Sequence, residues 1–173
     1  MGTTNGFIHL YTGNGKGKTT AAIGLAIRAV GAGKKVFIGQ FVKGMQYSEL
    51  VTFARLPEIN VRQYGRDCFI ENNPTDKDIE AAHKGLKEVE SIIANNKYDV
   101  IILDEICIAL YYNLFTIEDF ADVLSRKNEN TEIVLTGRYA HPFLYEIADL
   151  ITEMKEVKHY FNRGVQARKG IEY

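Results

Sequence analysis

Apolar residues along this chain fall into short runs broken by polar and glycine-containing segments, and the runs are of two kinds. Strands are predicted at 7–11, 35–41, 61–64, 98–103, 132–136 and 150–155, of which 35–41 is a near-continuous apolar run of the type found in parallel sheets. Between them lie segments with helical spacing. Over 77–95, Ile79, Ala82, Leu86, Val89 and Ile93 recur at intervals of three and four, which gives one buried stripe. The turn Asn72-Asn73-Pro74-Thr75-Asp76 supplies a cap for that helix. Further helices are predicted over 21–32, 45–55 and 142–148, and around Ile117, Phe120, Ala121 and Leu124. The 21–32 segment is apolar almost all round and predicts a buried helix, stopped by Gly31 and Gly33. Strands separated by helices imply right-handed crossovers, hence an α/β fold with a mostly parallel sheet of about six strands and helices on both faces. No internal repeat, low-complexity tract or linker interrupts the pattern, so residues 1–173 are read as a single domain.

Composition narrows the functional classes. The 173 residues are 46% hydrophobic and 25% charged, enough to build a core without metal or disulfide support. Lys and Arg number 21 against 22 Asp and Glu, and this balance gives no broad basic face for nucleic acid. Cys68 and Cys107 are far apart and form no zinc-ligand pattern, so free thiols in a reducing compartment are expected. The polar start of the chain has no signal-peptide pattern, and no apolar run approaches the roughly 20 residues of a membrane span. A cytoplasmic protein with no membrane association is the expectation.

Two motifs carry chemistry. Gly13-Asn14-Gly15-Lys16-Gly17-Lys18-Thr19-Thr20 follows a predicted strand and precedes a predicted helix, the setting in which backbone N–H groups bind phosphate oxygens. In the pattern GxxxxGK[ST], Lys18 supplies charge to the phosphates and the Thr19 hydroxyl binds Mg²⁺. Thr12 stands where the first glycine of that pattern belongs, so the loop is a variant. The second motif is the apolar strand ending in Asp104-Glu105, which delivers two carboxylates to the edge where open α/β sheets bind ligands. One acid can hold the metal and the other can serve as a second ligand or a base. By themselves these residues specify a P-loop nucleotide protein, whether ATPase, small-molecule kinase or ATP-consuming transferase.

The series 12–20, Ala21-Ala22-Ile23-Gly24, Arg28-Ala29-Val30-Gly31, Gln40-Phe41-Val42-Lys43-Gly44, Leu103-Asp104-Glu105, Leu135-Thr136-Gly137-Arg138, Ala148-Asp149-Leu150, Val157-Lys158-His159 and Gly170-Ile171-Glu172-Tyr173 resembles the ATP:corrinoid adenosyltransferases of the CobA/CobO/BtuR type. It spans nearly the whole chain in the family's order, and the family's loop shares the Thr12 departure. The resemblance implies a P-loop NTPase-like, RecA-like fold. It implies transfer of the 5′-deoxyadenosyl group of ATP to the cobalt(I) of a reduced corrinoid, with triphosphate leaving, in cobalamin biosynthesis or salvage. Lys18, Thr19 and Glu105 would then be catalytic. Asn14, Gly15, Lys16, Gly17, Lys18, Thr19 and Thr20 would bind triphosphate, with Arg28 and Arg138 as further contacts. Thr19 and Glu105 would hold Mg²⁺, with Asp104 orienting metal-bound water. In Gly65-Arg66-Asp67-Cys68-Phe69-Ile70, where the family places aromatic residues beneath the corrin, Phe69 is the remaining candidate. A homodimer and an electron donor such as a flavoprotein reductase follow by the same analogy. The competing readings are a P-loop ATPase or kinase, and a carrier that holds adenosylated corrinoid without fast turnover.

Overall fold

The computed structural model describes residues 5–66 and 73–173. Its strands are β1 (Ile8–Thr12), β2 (Val36–Phe41), β3 (Ile59–Tyr64), β4 (Val100–Asp104), β5 (Glu132–Thr136) and β6 (Leu150–Glu153). They form one sheet in the order β3-β2-β4-β5-β1-β6, and every neighbouring pair is parallel. The helices are α1 (Lys18–Gly31), α2 (Ser48–Phe53), α3 (Asp76–Ala94), α4 (Ile106–Tyr111), α5 (Ile117–Ser125) and α6 (Pro142–Ile147), followed by a 3₁₀ turn at Tyr160–Arg163. No described helix is long and apolar enough to cross a membrane.

Strand alternation sends side chains to two distinct cores. Val36, Ile38, Val100, Ile102 and Val134 face α1 and α2, whereas Phe37, Phe41, Ile101, Leu103, Ile133 and Leu135 face α3 to α6. The predicted α3 stripe lies on the second core, with Ala82, Leu86, Val89 and Ile93 buried and Ile79 packed at its margin. Burial of a Leu, Ile or Val side chain contributes about 1.5–3 kcal/mol. The entrance of α3 is fixed by a capping box in which Thr75 and Asp78 exchange hydrogen bonds, and Arg66 donates to the same Asp78 carboxylate at 2.7 Å.

Two expectations are corrected. The first helix is not buried all round: Ala22, Ala26 and Ala29 form a narrow buried stripe, and Ile27 is 44% exposed. Small alanines let the helix approach the sheet closely, and the larger residues flank the contact. Helix α4 was not anticipated, because Ile106–Tyr111 reads as an apolar continuation of the β4 strand past two acids. Glu105 makes the break, with φ of 57° in the left-handed region.

Candidate active site

The sheet supplies a polar layer at the carboxyl ends of its strands. On the face covered by α1, apolar residues give way to Gln63 on β3, Gln40 on β2, Asp104 on β4 and Thr136 on β5, side by side in the register. Asp104 is the centre of this row and is 1% exposed. The hydroxyls of Thr19 and Thr136 donate to its Oδ1 at 2.9 and 2.7 Å, and the Lys43 ammonium donates to its Oδ2 at 2.6 Å. The Thr136 hydroxyl also accepts from the Glu105 backbone N–H at 3.0 Å. One buried carboxylate thus joins the start of α1, the end of β5 and the segment after β2.

Above this layer lies a cavity of about 650 Å³, lined by the glycine-rich loop, Lys43, Glu105, Arg138, Tyr112 and the last residues of the chain. Lys18 is buried and folds back on its loop, donating to the Gly13 and Gly15 carbonyls at 2.8 and 2.7 Å. Glycine at 13 and 15 has a cause beyond phosphate access. A Cβ at either position would stand 2.6 Å from the Met154 carbonyl oxygen, which accepts the Gly15 N–H at 2.6 Å. The end of β6 therefore braces the loop from behind.

The cavity holds charges that burial sets against one another. Burial, and then the neighbouring Asp104 carboxylate, raise the pKa of Glu105, while Lys43, Lys18 and Arg138 oppose this. Burial lowers the pKa of Lys18, with Glu105 pulling the other way. For Lys43, burial also works against the charge, but the Asp104 carboxylate and its hydrogen bond outweigh it and the net shift is upward. Such a concentration of mutually perturbed groups in a cleft marks a functional site.

The terminal segment closes one side of the cavity. The Lys16 ammonium donates to Glu172 Oε1 at 2.6 Å, to the Ile171 carbonyl at 3.0 Å and to the Tyr160 hydroxyl at 3.0 Å. Tyr160 also hydrogen-bonds Glu172, and the Arg168 guanidinium lies 4.9 Å from the Tyr160 ring centroid.

The structure gathers Gly15, Lys16, Gly17, Lys18, Thr19, Thr20, Glu105 and Arg138 around one cavity, with Asp104 beneath. It does not bring Arg28 there: this residue is exposed in the last turn of α1. Asn14 is exposed on the loop and absent from the cavity wall. Phe69 and Cys68 lie outside the described residues. Cys107 is buried, and burial pushes its thiol up to about 12, as expected of an inert core thiol. Sequence reasoning assigned no role to Lys43, Thr136 or Glu172. A lysine just past an apolar parallel strand carries the same positional signal as Asp104 does, and that signal would have found Lys43.

Oxygen donors suited to a hard divalent cation are present: the Thr19 hydroxyl and Asp104 carboxylate meet at 2.9 Å, and Glu105 faces the same space. Among the described residues no group of three or more His, Cys, Asp or Glu side chains forms a self-sufficient metal cluster. A cation here would depend on its nucleotide for further ligands, as magnesium sites do.

Comparison with known proteins identifies the family. A family model described as ATP:corrinoid adenosyltransferase BtuR/CobO/CobP matches residues 4–173. The chain is 33% identical to the corrinoid adenosyltransferase of Escherichia coli K12 over 168 residues, which is 97% of this chain and 86% of that protein. It is 34% identical to the corrinoid adenosyltransferase of Pseudomonas aeruginosa over 97% of this chain and 84% of that protein. The corrinoid adenosyltransferase CobA of Salmonella typhimurium is 32% identical over 97% of this chain and 86% of its own length.

Proposed function

The chain belongs to the ATP:corrinoid adenosyltransferase family, and from that premise we propose how its residues carry out adenosyl transfer from ATP to a corrinoid. The reaction is a displacement at C5′ of ATP. Cobalt(I) of the reduced corrinoid supplies the electron pair, the C5′–Co bond forms, the C5′–O bond breaks, and the electrons of that bond leave with triphosphate. No protein nucleophile is needed. The protein's contribution is to hold C5′ in line with cobalt and to stabilise charge growing on the leaving group.

The observation that supports these assignments is the 2.9 Å contact between Thr19 and Asp104 on the floor of a cavity ringed by Lys16, Lys18, Lys43 and Arg138. The 13–20 loop and Lys18 bind the triphosphate, and Arg138 adds charge from the β5 side. Thr19, Asp104 and Glu105 are the residues that would hold Mg²⁺, which when bound draws negative charge from the triphosphate oxygens. Glu105 is turned toward the cavity by its left-handed backbone, and its electrostatics favour a cation partner. The ATPase and kinase readings use the same loop, but the relatives named above carry the transferase name over almost the whole chain. The homodimer, a flavoprotein electron donor and a cytoplasmic setting complete the proposal by family analogy.

The deciding experiment mixes the purified protein anaerobically with Mg-ATP and chemically reduced cob(I)alamin, follows the corrin spectrum and identifies the phosphate product. Light-sensitive adenosylcobalamin together with triphosphate is the expected result. ADP and phosphate with an unchanged corrin would overturn it in favour of an ATPase or kinase.

A further inference from the structure

Lys43 has no role in the assignments above beyond its presence in the cavity wall, yet its placement is unusually determined. It follows Val42, whose φ of 58° lies in the left-handed region, a costly conformation for a β-branched residue. That turn ends β2 and directs the lysine across the ends of the neighbouring strands. Its ammonium lies 2.6 Å from Asp104 Oδ2 and 5.0 Å from the Tyr47 ring centroid, and its side chain is 12% exposed. Both Asp104 oxygens are thereby engaged: Thr19 and Thr136 donate to Oδ1, and Lys43 donates to Oδ2.

We propose that Lys43 makes metal binding at Asp104 conditional on nucleotide by exchanging its partner from Asp104 to the triphosphate. This rests on the reading of Thr19 and Asp104 as the metal-holding residues. A divalent cation arriving alone competes with the adjacent Lys43 ammonium for Asp104, and displacing it leaves a largely buried ammonium without an anion, which is strongly unfavourable. A triphosphate arriving with the cation supplies replacement oxygens for that ammonium. The two ligands are then coupled through one side chain, each binding better when the other is present. The same exchange moves a positive charge from the protein's own carboxylate toward the leaving group, where it stabilises the charge that develops during transfer.

The test uses Mn²⁺ as probe, with free and bound metal measured by electron paramagnetic resonance in the absence of ATP. Wild type, Lys43→Met, Lys43→Arg and the double variant Lys43→Met/Asp104→Asn are compared. Lys43→Met is expected to bind Mn²⁺ alone at least about tenfold more tightly than wild type, because a carboxylate is freed beside Thr19. The double variant should lose that gain, and Lys43→Arg should resemble wild type. In steady-state assays Lys43→Met should lower kcat by ~10²-fold with a smaller change in KM for ATP, with partial recovery in Lys43→Arg. Mn²⁺ binding to Lys43→Met no tighter than to wild type would overturn the proposal. If Lys43→Met is soluble only when prepared with Mn²⁺, while the double variant needs none, the proposal stands; if Mn²⁺ fails to rescue it, the lysine is merely structural. Failure of wild type to bind Mn²⁺ even with ATP would instead refute the underlying metal assignment.

Discussion

Two lysines of the cavity each meet a carboxylate at 2.6 Å, and the two pairs have little else in common. Lys43 and Asp104 have side chains 12% and 2% exposed, stand at the ends of adjacent strands, and are locked by two threonine hydroxyls. Lys16 and Glu172 have side chains 38% and 17% exposed, and Glu172 lies in a terminal segment with little regular structure. The first pair is largely buried and carries a large penalty if broken; the second is more exposed and is screened by salt. Similar chemistry thus serves two ends: one pair fixes the floor of the site, and the other ties the terminal segment to the glycine-rich loop.

The sharpest way to break this contrast is to remove charge from the floor. Lys18→Ala should lower kcat by about 10³-fold or more with unchanged circular dichroism, and near-normal turnover would remove Lys18 from the site. Asp104→Ala should cost stability as well as activity, about 3–5 kcal/mol in urea denaturation, because it strands the Lys43 ammonium. A loss below about 1 kcal/mol, the range of exposed ion pairs, would erase the distinction between the two regions.

Glu105 sharpens the contrast through pH. Its folded-state pKa lies above the ordinary 4.5, so its contribution to stability is fully present below that value and is lost as pH rises through the folded pKa. Glu105→Gln should therefore be more stable than wild type at neutral pH, with the difference vanishing in acid. A constant difference across a pH series of denaturation curves would show that the carboxylate is not destabilised by its surroundings.

The smallest effect belongs to the tail. Hydrogen bonds from Lys16, Tyr160 and Arg168 hold the Glu172 carboxyl well below the usual range, yet the group is solvent-accessible. Glu172→Gln should leave the melting temperature in place and speed amide exchange only around 168–173. Wild type should behave likewise at about 1 M salt, where the screening length falls to ~3 Å. Slowed exchange, or a melting shift as large as that of Asp104→Ala, would mean that the tail is part of the core.

All six strands were anticipated within a few residues, most clearly β2 and β4, which are buried throughout and therefore apolar, whereas the edge strand β6 is exposed at every position. The glycine-rich loop and Asp104-Glu105 were legible because their positions follow from strand ends. Helix α4 was hidden because six apolar residues fit strand or helix equally well, and only the backbone reversal at Glu105 separates them. The division of labour between the two acids was also hidden. Sequence gives their order, but the register across β2, β4 and β5 decides that Asp104 meets Thr19, Thr136 and Lys43. The tail carries no periodicity, and its order comes from charges far apart in the chain.

The strand order has a consequence for how the molecule comes to exist. β1 lies between β5 and β6, so it is synthesised first yet paired with segments made about 125 and 141 residues later. Closing so long a loop is slow, and a nascent chain can pair β2, β3 and β4 well before β1 has a place to go. Such an intermediate has Asp104 and Lys43 but no loop beside them. The place for nucleotide thus requires β1 to be paired between β5 and β6, so ATP binding stabilises only molecules in which that pairing is complete.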